Sequence, residues 1–246
     1  MNRMKNLSIL VSLLATSAAH TIFQEMYVDS VSQGHLFGIR TVQSSNPLKN
    51  VSSPDIICNG AVNNFTQNPA ADVITLPAGA TITTEWHNKL LGLDPSNPDD
   101  PIAKTHLGPI QTYMAPIGDI YDTDVESLEW FKIYQDGVTL NNTWATQKMM
   151  TAAGKVTHAI PSCIPSGTYL LKAEIVALHA VGDTGKNVEI FTECAQVNIT
   201  DGGNAALPGF KFQEGYTPST PGLVFNVYTS PPNLDYPFPG PEVFTC

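Results

Sequence analysis

A histidine standing directly after a run of small residues is the feature of this chain best suited to chemistry. Ala15-Thr16-Ser17-Ala18-Ala19 precedes His20, with Ser17 and Ala19 at the −3 and −1 positions of a signal-peptidase site. Cleavage after Ala19 makes His20 the first residue of the mature chain. With 6 histidines in 246 residues, chance places one there about once in 41. A terminal histidine offers an α-amine and a ring nitrogen from one residue. The amine, with a pKa of about 7.7–8.0, yields its proton readily to a metal. A second imidazole completes a three-nitrogen plane, which suits Cu(II). The candidate partner is His106, in Thr105-His-Leu-Gly-Pro-Ile-Gln-Thr-Tyr-Met-Ala-Pro116, where Gly108-Pro109 indicates a turn and so a loop position.

The other histidines invite plainer readings. His35 falls in a loop, His87 ends a strand beside Trp86, and His158 lies in a short apolar strand. Each reads as a surface or internally satisfied side chain. The chain has no Gly-x-Ser-x-Gly, no His-Glu-x-x-His, no phosphate-binding glycine loop and no dinucleotide fingerprint. A glycosidase carboxylate pair stays open, since 22 acidic residues offer many pairs.

The elements that must position these residues begin after a leader. Arg3 and Lys5, then the apolar Leu7 to Leu14, then the small residues read as a signal peptide over 1–19. No later run approaches the ~18 apolar residues of a membrane span. Without the leader, 10 basic residues face 22 acidic ones, a net charge of −12. That balance argues against nucleic acid or an anionic membrane as partner. Cys58, Cys163, Cys194 and Cys246 allow three disulfide pairings in an oxidising compartment, and none forms a Cys-x-x-Cys unit. Asn50, Asn64, Asn141 and Asn198 head N-glycosylation triplets.

Short β-type runs divided by Gly and Pro fill the rest. Asp72 to Leu76, Thr81 to Trp86, Glu129 to Tyr134, Gly167 to His179 and Val188 to Thr200 read as strands. Only Asp122 to Trp130 and Thr143 to Thr151 could form a helical turn or two. The pattern predicts one all-β domain over 20–246, an antiparallel sandwich with long loops. The proline-rich stretch from Ser230 to Pro241 cannot sit inside a sheet and reads as an extended surface strap.

Several motifs occur together and in order. They are Ala18-Ala-His-Thr21, Asn50-Val-Ser-Ser-Pro-Asp-Ile-Ile-Cys58-Asn, His106-x-Gly-Pro with Tyr-Met-Ala-Pro116, and Ile160-Pro-Ser-Cys-Ile-Pro-Ser-Gly-Thr-Tyr-Leu-Leu171. Ile175-Val-Ala-Leu-His179, Cys194-Ala-Gln-Val-Asn-Ile-Thr200 and Pro239-Gly-Pro-Glu-Val-Phe-Thr-Cys246 complete the set. On these residues, which span nearly the whole chain beyond the leader, the sequence resembles the fungal family-9 lytic polysaccharide monooxygenases, formerly glycoside hydrolases of family 61.

The resemblance implies an immunoglobulin/fibronectin-III-like β-sandwich with a flat copper-bearing face. It implies one copper held by His20 and His106, an external electron donor (a small reductant or a secreted dehydrogenase), and O₂ or H₂O₂ as co-substrate. The reaction implied is oxidative cleavage of β-1,4-glucan, cellulose above all, by a secreted monomer. His179 matches a histidine that donates a hydrogen bond towards the oxygen species. Tyr236 matches a surface aromatic that stacks on glucose rings. The disulfides implied are Cys58–Cys194 and Cys163–Cys246.

Two positions depart from the family pattern. Phe191 stands where an axial tyrosine is usual, and Glu189 where glutamine is usual. Phenylalanine has no oxygen, so it can block the axial position but not ligate. Glu189 accepts hydrogen bonds as glutamine does but donates one only when protonated. By the two-residue period these two share one face of their strand and Cys194 takes the other, with the pair expected towards the metal and the cysteine inward. The catalytic candidates are thus His179 and Glu189. The altered pair leaves a non-catalytic secreted copper-binding protein of the same fold as the alternative, and a metal-free wall-binding protein as a third possibility.

Overall fold

The computed structural model describes residues 20–121, 123–182 and 187–246; the leader expected over 1–19 lies outside them. Nine strands and three short helices follow in order: β1 (Ile22–Val28), β2 (Val31–His35), α1 (Asp55–Cys58), β3 (Ile74–Pro77), β4 (Thr81–His87), β5 (Ile110–Pro116), β6 (Phe131–Asp136), α2 (Ala145–Thr151), β7 (Lys155–Ala159), β8 (Gly167–Ala177), β9 (Glu189–Thr200) and α3 (Phe212–Gly215). They make a sandwich of a four-stranded sheet, β2-β1-β4-β7, and a five-stranded sheet, β3-β9-β8-β5-β6. The pairings are antiparallel except β3, which runs parallel to β9. The sandwich is antiparallel, as expected, apart from this one edge pairing, which the long connection between β3 and β9 permits.

The core between the sheets takes alternate residues from each strand. Phe23 and Met26 from β1, Ile82 and Trp86 from β4, and Tyr169, Leu171, Ala173, Ile175 and Ala177 from β8 meet there. The other face of the five-stranded sheet is buried too. Leu170, Val176, Ile190 and Cys194 pack there against Ile56 and Ile57 of α1, Phe212 of α3 and Tyr236 of the tail. Long loops thus cover a face that a bare sandwich would give to solvent. This explains why β5 (IQTYMAP) shows no polar–apolar alternation: its first six residues are all buried. It also corrects one half of the facing expected of β9: Cys194, expected inward, lies on the loop-covered face, while Phe191 on the opposite face stands between the sheets at the end where His20 and His106 lie.

Both disulfides join the pairs expected, Cys58–Cys194 and Cys163–Cys246. The first fastens α1 to β9. The second fastens the chain end, which crosses the five-stranded sheet with Lys132 Nζ donating to the Pro239 carbonyl at 2.8 Å and the Phe244 amide donating to that of Lys132 at 2.8 Å. The strap is therefore held near its end through the Pro239 carbonyl, and the residues after it by a main-chain hydrogen bond to β6.

Of the two helical candidates, the second forms α2. In the first, whose Asp122 lies outside the described residues, 125–127 make a turn instead, because Asp124 accepts from the Glu126 amide through Oδ1 and from the Ser127 hydroxyl through its carbonyl, a local turn that competes with helix.

Candidate metal centre

Three chain segments converge at one end of the sandwich. Strands β8 and β9 pair without a break from Gly167↔Ile199 to Ala177↔Glu189. This register puts Glu189 at the mouth of the hairpin, opposite the segment that carries His179 just past β8. The His106 loop is stitched to the same place. The Val176 amide donates to the Pro109 carbonyl at 3.1 Å, and the Leu178 amide donates to that of Leu107 at 2.8 Å. Gly108 makes the approach possible, since a β-carbon there would sit 1.8 Å from the Val176 carbonyl oxygen. The Gly-Pro that the sequence marked as a turn is thus what lets the loop lie against β8. The third segment is the start of β1, where Ile22 pairs with His87 and the Asn88 amide side chain donates to the His20 carbonyl at 2.9 Å.

The convergence stacks the rings of His106 and His179, 4.1 Å between centroids at 29°. Glu189 Oε2 lies 3.4 Å from His106 Nε2 and 3.7 Å from His179 Nε2. His106, His179 and Glu189 form the compact group among the described residues that could hold a metal ion, with one donor atom from each within 4.8 Å of the others. His20 is beside this group rather than in it. Its ring stands 6.0 Å from that of Phe191, and the His106 ring stands 5.9 Å from the same phenylalanine. Phe191 is buried and presents an apolar ring towards both imidazoles.

Burial lowers the pKa of His20, and Glu189 opposes that shift. His179 is lowered by burial and then by its neighbour His106. Both rings are thus biased towards the neutral form that binds metals. For Glu189, burial pushes the carboxyl up, but contacts with His106 and Lys49 outweigh it and hold it at about 2. The carboxylate is therefore a fixed negative charge. Two ring nitrogens, His106 Nε2 and His179 Nδ1, are buried with no hydrogen-bond partner. Unpartnered buried polar atoms are rare in folded proteins.

Sequence reasoning missed Lys49, whose Nζ pairs with Glu189 Oε1 at 2.8 Å. No spacing links the two positions, so only the fold reveals the pair. Tyr236 is a correction. It is 7 % exposed, its hydroxyl donates to the Gly222 carbonyl at 2.7 Å, and its ring packs edge-on against Trp144, Phe225 and Phe238. A ring enclosed by three others has no face left for a sugar. The remaining histidines behave as expected of satisfied side chains: His87 lies between Glu85 and Asp100, and His158 faces the Thr112 hydroxyl. Asn50, Asn64 and Asn141 are exposed, while Asn198 is half-buried on β9.

The family model for Auxiliary Activity family 9 (formerly GH61) matches residues 20–236. An AA9 family lytic polysaccharide monooxygenase C from Gloeophyllum trabeum is 39 % identical over 90 % of this chain and 98 % of its own length. One from Neurospora crassa is 37 % identical over 99 % of this chain and 68 % of its own. Among solved structures, CvAA9A superposes with a TM-score of 0.79 at 30 % identity, covering 92 % of this chain and 98 % of the other. On this match the chain belongs to Auxiliary Activity family 9, the family of the lytic polysaccharide monooxygenases.

Proposed function

We propose that this protein is a secreted, copper-dependent enzyme that oxidatively cleaves β-1,4-glucan chains, cellulose first, at the centre built by His20, His106, His179 and Glu189. The observation that carries this is the buried His106 Nε2, which has no hydrogen-bond partner in a chain of this family. A buried ring nitrogen that makes no hydrogen bond and has a carboxylate oxygen 3.4 Å away fits a metal ligand, and a nitrogen-rich donor set fits Cu(II). Processing after Ala19 would free the His20 α-amine to join its ring and the His106 ring. Bound copper would supply the one-electron chemistry with O₂ or H₂O₂, electrons coming from an external donor.

The remaining steps belong to the protein. Phe191 keeps one side of the two imidazoles apolar and offers no oxygen to a metal. Glu189 accepts hydrogen bonds and stays ionised, its charge balanced by Lys49. His179, half-buried between His106 and Glu189, can donate a hydrogen bond to a species bound beside it and pass a proton to it. The acidic surface leaves a neutral polysaccharide as the fitting substrate. The exposed triplets at Asn50, Asn64 and Asn141 are the favoured glycan acceptors.

The test is intact mass, copper stoichiometry and electron paramagnetic resonance on secreted protein, followed by incubation with cellulose, xyloglucan or xylan and a reductant. One Cu(II) with nitrogen hyperfine structure on a chain starting at His20, together with oxidised oligosaccharides, is expected. A copper-loaded chain that releases none would instead favour the non-catalytic copper-binding reading, which the Glu189 and Phe191 departures motivate.

A further inference from the structure

We propose that Asn88 is the positioning residue of the chain start: its side-chain amide holds the His20 carbonyl, so that the His20 amine and ring stand ready as one chelate. The inference rests on the copper reading above, and part of its test needs no metal. The ladder between β1 and β4 begins at Ile22, opposite His87, which leaves His20 outside the sheet. A terminus beyond its last ladder pair frays unless something ties it down. Here the tie is Asn88 Nδ2, which donates to the His20 carbonyl at 2.9 Å.

Asn88 is buried and is itself fixed from several sides. A carbonyl only accepts, so the amide nitrogen must face His20 and the amide oxygen is left for another donor. Asn97 supplies that donor, its Nδ2 reaching Asn88 Oδ1 at 3.1 Å. The Asn88 main-chain amide donates to Asp100 Oδ1 at 2.7 Å, while Asp100 Oδ2 faces His87 Nδ1 at 3.1 Å. From β1, Gln24 Nε2 donates to the His87 carbonyl at 3.1 Å and to that of Lys89, and its Oε1 accepts the Gly92 amide at 3.0 Å. The segment that grips the chain start is thus laced to the strand it serves. Holding the His20 carbonyl fixes the peptide plane between His20 and Thr21, and with it the His20 α-carbon. The amine and ring keep only a shared rotation about the bond from that carbon to the carbonyl, and the ring its own torsions. Ordering of the Thr21 backbone is then met on folding and not on metal binding, which favours the bound state.

The experiment uses the chain starting at His20 and two variants, Asn88→Asp and Asn97→Asp. The first keeps the size of Asn88 and an acceptor for Asn97, but loses the donor aimed at His20. The second removes the donor that braces Asn88 and is expected to act in the same direction, more weakly. Copper(II) affinity of Asn88→Asp should fall ~10-fold or more, as for other partners of metal ligands, and its electron paramagnetic resonance spectrum should split into more than one species. In the metal-free state an aminopeptidase should remove His20 from Asn88→Asp faster than from the parent, read by intact mass. Thermal unfolding of each metal-free variant separates a loosened chain start from a lost fold, and Asn88→Ala is the substitute if Asn88→Asp does not fold. Unchanged copper affinity in the variant, or weaker affinity with the terminal histidine as resistant as in the parent, overturns the proposal. A parent that binds no copper defeats the copper reading instead, and the aminopeptidase comparison then decides the positioning role by itself.

Discussion

Glu193 lies on β9 between the sheets, where its Oε2 accepts the Phe23 amide at 3.1 Å and its Oε1 faces the Asn59 amide group. Burial pushes this carboxyl up to about 8, against the opposing pull of Phe23, Asn59 and Lys172. The folded protein thus keeps a proton that the unfolded chain releases near 4.5. Below that value both states are protonated and pH has no effect through this group. Between about 4.5 and about 8 the unfolded state binds fewer protons, so stability falls as pH rises, and above the window it levels off. Denaturant midpoints taken below, within and above the window should show that decline, and Glu193→Gln should flatten it; an unchanged slope in the variant would place the titration elsewhere.

Tyr236 gives a second expectation of the same kind. Tyr236→Ala should lower stability by about 3 kcal/mol, the usual cost of emptying an aromatic core site, while binding of the folded variant to cellulose stays unchanged. The two tyrosine functions are separable by a pull-down on cellulose at a temperature where the variant is folded. Glu189 and Phe191 were legible in the sequence because they count back from a cysteine on one strand. Tyr236 was misread because a tyrosine among prolines carries no mark of which face it shows.

The loop that carries His106 depends on Gly108. Gly108→Ala would push the loop away from the Val176 carbonyl, breaking the two amide contacts that tie it to β8. Metal affinity should drop by more than ~10-fold, as for other losses of ligand support, with a modest fall in melting temperature. An unchanged affinity by calorimetry would mean that the loop does not orient His106. The Gly-Pro turn was readable from sequence, but strand β5 just beyond it was not. Burial on both faces erases the two-residue period in β5, and β1, with Gln24 buried among apolar neighbours, hides in the same way. By contrast β4 and β9 announce themselves through β-branched and aromatic runs, and β8 through its unbroken length.

At the scale of the whole molecule, the chain end is part of the fold. The Cys163–Cys246 bond closes a separation of 83 residues, and removing such a link typically costs about 2–5 kcal/mol. Cys163→Ser with Cys246→Ser should lower the melting temperature and expose the tail to carboxypeptidase, read as progressive mass loss from the C-terminus; resistance equal to the parent would show that backbone contacts alone hold the strap. The sandwich was foreseeable from strand spacing. The parallel β3–β9 pairing was not, since no local pattern encodes which distant strand a short edge strand meets.

The β8–β9 hairpin separates two jobs that a metal enzyme must do. The proposed copper ligands come from the chain start and from the 106 loop, whereas His179, Glu189 and Phe191 all ride on one hairpin with a continuous ladder beneath them. Side chains at the hairpin mouth can then be exchanged without moving the ligands, because the ladder and the disulfide to α1 fix the backbone that carries them. The fold behaves like an instrument with a fixed sensor and a replaceable tuning cartridge. Grafting 177–191 between relatives should transplant reactivity while copper affinity stays with the recipient.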